Sequence, residues 1–310
     1  MYKLLLTIRY LFRKVTPLFA LLGVTLCTAM VIIVGSVMGG FLDLVKEAGK
    51  SVMGDVVMYA GTRGIADYEQ IIARVDALPE ADGASPVIST WGLLKLPGDR
   101  TEYVQVVGIR PDYASVTDYR DTLFWSAGRI KQQLGWDVDP ERFDPVRDAI
   151  DLTIEDMPPD GEDRAGMVPG IEVSPYNRRD NEGNYHFEPS ILATELFLTV
   201  LPIAEGGTPQ TPDVISFVVV NEFHSGFYAT DSRRVFVPFD VAQTMMLMDP
   251  APMLKDPDDP AAGFEGMTPA RCTEIHVAAA EGVDSYDLRQ AVGGVYEELA
   301  ETNENVPPRP

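Results

Sequence analysis

The chain has 310 residues, a hydrophobic fraction of 45% and a formal net charge of −22 at pH 7. That provides apolar residues for a substantial core and room for one large or two medium domains. An acidic excess of this size argues against nucleic-acid binding, which needs a basic patch to displace counterions from phosphate.

The charge is lopsided along the chain. Residues 1–14 carry Lys3, Arg9, Arg13 and Lys14 and no acid. Leu4, Leu5, Ile8, Leu11 and Phe12 recur there at helical spacing, so the segment reads as an amphipathic elbow helix at the cytoplasmic membrane interface. Residues 15–42 follow with 28 positions and no charged side chain. As a helix this stretch runs ~42 Å, against a hydrocarbon core of ~30 Å. It is about twice the length of a signal-peptide apolar region, ~7–15 residues, and so reads as an uncleaved transmembrane helix. Its basic flank places the N-terminus in the cytoplasm and the acidic bulk outside. Gly35, Gly39 and Gly40 form a small-residue face suited to packing against another membrane helix.

The exterior part opens with a strand at residues 55–59. Asp67 then precedes a helix with Ile71, Ile72, Val75 and Leu78 on one face, where it can act as N-cap, and Pro79 ends it. Residues 86–96 and 103–109 read as two strands joined at Pro97-Gly98-Asp99. From 113 to 164 the pattern is irregular, and its part 137–164, rich in Pro and acid, reads as a solvated surface excursion. Its spacing does not match a calcium-binding loop. Strand character returns at 196–203, 214–220 and 234–239. A short helix at 241–248 and a Pro- and Asp-rich loop at 249–269 follow. A last strand at 274–280 leads to a helix capped by Asp284, with Leu288, Val292, Val295 and Leu299 inward.

The expected fold class is therefore α+β: a single N-terminal transmembrane helix followed by a two-lobed extracytoplasmic domain. The division is 1–14 elbow helix, 15–42 transmembrane helix, 43–112 with 271–303 as an α/β base, 113–270 as an inserted β-rich lobe, and 304–310 as a tail. Cys27 and Cys272 are expected to stay unpaired, since one lies in the membrane helix and the other outside.

No pattern commits the chain to catalysis, a cofactor or a metal. Gly49-Lys50-Ser51 lacks the upstream glycine of a phosphate-binding loop, with Leu44 in its place. His186, His224 and His276 have no cysteine or second histidine at ligand spacing, and Glu222-x-His224 is too small a set for a metal. His276 alternates with Ile275 and Val277 and is expected to face solvent. No G-x-S-x-G nucleophile motif is present.

Three stretches carry a family resemblance. Arg9-Tyr10, Gly23-Val-Thr-Leu26 and Ser36-Val-Met-Gly-Gly-Phe41 resemble the first membrane helix of ABC permease subunits of the lipoprotein-releasing and macrolide-exporter class, the LolC/LolE, MacB and FtsX group. Asn221-Glu-Phe-His-Ser-Gly-Phe-Tyr-Ala-Thr-Asp231, with Val235-Phe-Val-Pro-Phe-Asp240 and Ala242-Gln243, is similar to a segment of that group's extracytoplasmic core. Pro169-Gly-Ile-Glu-Val173 looks like its Pro-Gly-Ile segment, without the usual second glycine.

The resemblance implies a permease subunit that passes ATPase-driven motion across the membrane to an exterior domain. Its implied partners are a cytoplasmic ABC ATPase subunit, a homo- or heterodimeric permease partner, and an extracytoplasmic cargo protein or lipoprotein. The implied cargo classes are lipoprotein, drug, peptide or cell-envelope component. The implied place is the bacterial inner membrane, with the bulk periplasmic in a Gram-negative cell. ATP hydrolysis is expected in the separate partner. The group has three further membrane helices after the exterior domain, whereas no apolar run of 18 follows Leu42 here, so the chain reads as an N-terminal portion or a short form. The alternative is a single-pass anchored binding or scaffold protein without transport. Phe223, Phe227 and Tyr228 are candidates for partner contact, or else for packing of the lobe core.

Overall fold

The computed structural model describes residues 2, 15–61, 64–157, 162–202, 210–255 and 263–303. The elbow helix at 1–14, save residue 2, and the tail at 304–310 lie outside them. The chain divides into two compact units, Met1–Ala48 and Gly49–Pro310.

The long helix α1 spans Val15–Met53. Its segment Leu18–Leu42 is long and apolar enough to cross a membrane, with mean hydropathy 2.5. Thr25 and Thr28 return their hydroxyls to the carbonyls of Leu21 and Val24, at 2.7 and 2.8 Å, so these two polar groups are spent within the helix.

The remaining elements, in chain order, begin with strands β1 (Val56–Tyr59) and β2 (Ile65–Ala66), helix α2 (Tyr68–Val75), and the long strands β3 (Ala81–Leu96) and β4 (Arg100–Ile109). Short helices α3 (Tyr113–Val116), α4 (Tyr119–Thr122), α5 (Ala127–Leu134) and α6 (Arg147–Asp151) come next. Strands β5 (Thr153–Met157), β6 (Glu162–Pro169), β7 (Asn177–Arg179), β8 (Tyr185–Phe187), β9 (Glu195–Val200) and β10 (Asp213–Val219) lead to helix α7 (Tyr228–Asp231). Strand β11 (Arg234–Pro238) and helix α8 (Phe239–Met245) precede strands β12 (Pro252–Leu254), β13 (Phe264–Met267), β14 (Arg271–Cys272) and β15 (Glu274–Ala279), and helix α9 (Ser285–Thr302) closes the order.

One strand organises the sheet. The N-terminal half of β3 pairs antiparallel with β15, and β1 continues beyond β15 as an edge. The C-terminal half of β3 pairs with β4 on one side and, from Gly92 to Lys95, with β9 on the other. The path β3-β4-β11-β6-β10-β9 therefore returns to β3 and closes as a barrel. Sixteen residues let β3 serve both halves. The strand alternation decides which side chains point where. Leu94, Leu96, Val104, Val106, Leu198, Phe217, Val235 and Val237 are buried in the barrel interior. Trp91, Leu93, Tyr103, Phe197 and Val214 stand exposed outside. The barrel interior and the β1-β15-β3 part of the sheet share one apolar cluster, which α2 and α9 complete with Ile71, Val75, Leu288 and Val292.

A second cluster covers another part of the outer sheet surface. Tyr113, Tyr119, Ala149 and Leu152 pack on Val107, Val168, Val218 and Phe236. Among the described residues the 113–164 stretch thus holds a cap of short helices, and its 137–164 part is not a solvated loop, since it supplies α6 and β5 and buries Ala149, Leu152 and Ile154. Its polar sequence misled because each helix buries only one or two side chains. The 249–269 loop likewise contains the β12–β13 hairpin.

Two capping expectations change. Asp67 precedes α2 with φ 51°, and its side chain makes no capping bond. Instead its carboxylate accepts from the Asn303 amide at 2.9 Å, tying the helix start to the end of α9. Asp284 precedes α9 in extended conformation, also without a side-chain cap.

Candidate functional site

Several buried polar residues, Asn177, Asn221, Glu222 and Asp231 among them, gather near the end of β10. The apolar run Phe217–Val220 stops at Asn221 and Glu222, both fully buried. Both ends of the Asn221 amide are hydrogen-bonded, mostly to other segments. Its Oδ1 accepts from the backbone N–H groups of Trp125 and Glu222, each at 2.8 Å. Its Nδ2 donates to the carbonyls of Trp125 and Pro145, at 2.9 and 2.7 Å. Glu222 accepts from the Trp125 indole N–H at 2.8 Å and from Asn177 Nδ2 at 2.6 Å. Asn177 Nδ2 also donates to the Ile171 carbonyl at 2.7 Å. Three loops distant in sequence thus meet on two adjacent side chains. Burial pushes the Glu222 carboxyl from its ordinary value of 4.5 up to about 7, the two donors pulling the other way.

The residues after Glu222 form a braced loop. The Asp231 carboxylate accepts from Ser225 N at 2.8 Å, Ser225 Oγ at 2.6 Å and Gly226 N at 3.1 Å. His224 Nε2 lies 3.8 Å from the same carboxylate. The backbone of 170–172 docks on this loop: Gly170 N donates to the Arg234 carbonyl, Ile171 N to that of Phe223 and Glu172 N to that of Asp231, at 2.9, 2.9 and 3.1 Å. A Cβ on Gly170 would run into the Asp231 carbonyl, so only glycine permits this approach. The Pro-Gly-Ile segment and the Asp231 segment are two sides of one contact.

The 235–243 segment is structural in the same way. Ala242 seats its Cβ against Gly108, where a second Cβ has no room. Gln243 donates to the Arg271 carbonyl at 2.8 Å, holding α8 to β14. Arg110 lies over the rings of Phe239 and Tyr68 and pairs with Glu69.

Phe223 is completely buried against Phe236, ring centroids 5.0 Å apart, and therefore presents no contact surface. Phe227 and Tyr228 stand at the loop tip, 39% and 70% exposed. Gly35, Gly39 and Gly40 lie on α1, and a Cβ at each would meet nothing within 4 Å. His276 does not face solvent: it is 2% exposed and hydrogen-bonds Tyr113 Oη through Nδ1 at 3.2 Å and Glu274 through Nε2 at 2.9 Å. Alternation assigned its face correctly, but α3 covers that face too. Cys27 and Cys272 are both free, and burial raises the Cys272 thiol well above its usual range.

Sequence reasoning missed the Asn221–Glu222 node. The one available signal was a polar pair directly after a buried apolar run. It also missed the outer strip of the barrel, where Trp91 and Tyr103 stack with centroids 4.7 Å apart. The side chains of Asn221, Glu222 and Asn177 hydrogen-bond Trp125, Pro145, Ile171 and one another, and so hold three loops together. Among the described residues no group of three His, Cys, Asp or Glu side chains is placed to hold a metal ion.

Residues 18–133 match the family model of the MacB-like periplasmic core domain. That match supports an ABC-permease-like extracytoplasmic domain behind an N-terminal apolar helix. It covers the apolar part of α1, β1 to β4 and the cap as far as α5, and it stops before residues 169–173 and 221–243. No curated protein matches the chain. Among solved structures, the periplasmic region of MacB from Actinobacillus actinomycetemcomitans aligns at 10% identity over 75% of this chain and 74% of that one, with TM-score 0.37. The extracellular domain of the noncanonic ABC-type transporter YknZ from Gram-positive bacteria aligns at 9% identity over 80% and 93%, also with TM-score 0.37. Overlaps at that TM-score are too loose to support an argument by themselves.

Proposed function

We propose that the chain is a permease subunit, or the N-terminal portion of one, in an ABC transport system of the MacB-like class. The family match over residues 18–133 is the observation that carries this reading, because it joins the apolar helix to the exterior domain in one unit. In this reading α1 crosses the inner membrane with the N-terminus in the cytoplasm, where a separate ATPase subunit hydrolyses ATP. A second permease protomer packs on α1 at Gly35, Gly39 and Gly40. The 43–112 and 271–303 segments act as a base and 113–270 as the lobe that meets a lipoprotein, drug, peptide or envelope cargo. Phe227 and Tyr228 are the lobe residues placed to touch it.

The physical requirement is a domain stiff enough to pass on force. The closed barrel, and the hydrogen bonds that pin the 170–177 and 221–231 segments to it, meet that requirement. The test is purification of the tagged native protein from detergent-solubilised membranes. A co-purifying subunit with a nucleotide-binding motif supports the reading. Capture of an extracytoplasmic protein with no ATPase in the complex overturns it in favour of an anchored scaffold.

A further inference from the structure

The Asn177 side chain is 7% exposed as a residue, and its Oδ1 is buried with no hydrogen-bond partner among the described residues. A buried orphan acceptor costs free energy and calls for an account. It sits on the same amide whose Nδ2 donates to Glu222. Both carboxylate oxygens of Glu222 act as acceptors in this geometry, an arrangement that suits the ionised acid. A protonated Glu222 carries an O–H donor, and the orphaned oxygen of Asn177 is the acceptor that matches it.

The charged and titratable groups around the node are engaged elsewhere. On its own segment, His224 and Asp231 face each other and Asp231 is held by Ser225 and Gly226. From the 170–185 segments, Glu172 accepts from Tyr185 Oη at 2.7 Å, and Arg179 lies over the Tyr185 ring. From the cap, Arg129 donates to the Phe124 carbonyl, and Arg147 pairs with Asp148. The contacts of the Glu222 carboxylate itself are the Trp125 indole and the Asn177 amide.

We propose that Glu222 is a proton-operated latch at the foot of the 221–231 loop. A proton from solvent adds to the carboxylate. The contact with Asn177 then reverses, from amide N–H donating to carboxylate to carboxyl O–H donating to the amide oxygen. The amide turns over, which breaks its bond to the Ile171 carbonyl and swings Nδ2 to the place Oδ1 held. The latch thereby changes how the 171–177 turn is held against the loop that carries Phe227 and Tyr228. This inference goes beyond the transport reading and is measured on the chain alone.

The test uses the full chain in detergent with W91F and W136F, both at exposed positions, so that Trp125 is the remaining tryptophan. Its indole bonds Glu222 directly, and its fluorescence is followed from pH 5.5 to 9. A transition with midpoint near pH 7 is expected, which E222Q abolishes and H224Q leaves in place. A flat profile overturns the latch, and so does a transition that persists in E222Q. If E222Q does not fold, H224Q still decides: a transition lost with His224 assigns the proton there and overturns the proposal, while one retained supports it.

Discussion

Gly170 lies against the backbone carbonyl of Asp231 so closely that no β-carbon fits between them, while two residues on Glu172 N–H donates to that carbonyl at 3.1 Å. This contact joins the end of β6 to the loop before β11, across sixty residues of chain. Gly170→Ala must push the two backbones apart and break the neighbouring bonds of Gly170 and Ile171. A loss of roughly 3 kcal/mol or more is expected, at the upper end for point substitutions. Urea unfolding of the domain checks this, and a loss under about 0.5 kcal/mol, as for an ordinary surface change, contradicts it.

Phe223 and Phe227 are four residues apart and have opposite fates. Phe223→Ala empties a site enclosed by Phe236 and its neighbours, and should cost about 3–5 kcal/mol. Phe227→Ala removes a ring already in contact with solvent, so stability should change by less than about 0.5 kcal/mol. Thermal unfolding of the two variants separates them. If Phe227 touches a partner, the folded Phe227→Ala protein also loses capture of it.

The raised Glu222 pKa gives the domain a pH-dependent stability. The unfolded chain ionises this carboxyl near its ordinary value of 4.5, whereas the folded chain holds the proton to about 7. Between these values the folded state binds more protons, so this group's contribution falls as pH rises through the window and levels off above it. The accumulated loss is on the order of 3 kcal/mol. Glu222→Gln keeps a donor and an acceptor but cannot ionise. Its stability relative to wild type should therefore rise from pH 5 to pH 7.5, as read by denaturant midpoints. An unchanged difference across that range contradicts the assignment.

Much of the fold was legible from periodicity. β1, the C-terminal part of β3, β4, β9, β10, β11, β15 and α9 follow apolar alternation or helical spacing that the sequence displays openly. The cap of short helices was not, because four- and five-residue helices bury too few side chains to set a period. His276 shows the limit of alternation: it tells which face a residue takes, and tertiary packing decides whether that face is wet. The 221–231 and 169–173 segments stood out by resemblance, but their sequences did not say that they touch. That depends on Gly170 meeting Asp231, a long-range contact. The Glu222 node was invisible for the same reason, since Trp125 and Asn177 join it from 97 and 45 residues away.

The central claim is that the domain beyond α1 works outside the cytoplasm. Tyr228 is 70% exposed on a braced loop, and Cys272 is buried. In a Cys27→Ser, Tyr228→Cys protein, position 228 should then be the reactive thiol. Intact cells expressing it are treated with a membrane-impermeant maleimide, with the outer membrane opened where one is present. Labelling of the intact cells, equal to that after lysis, is the predicted result. Labelling that appears only once the cytoplasmic membrane is broken would contradict the account.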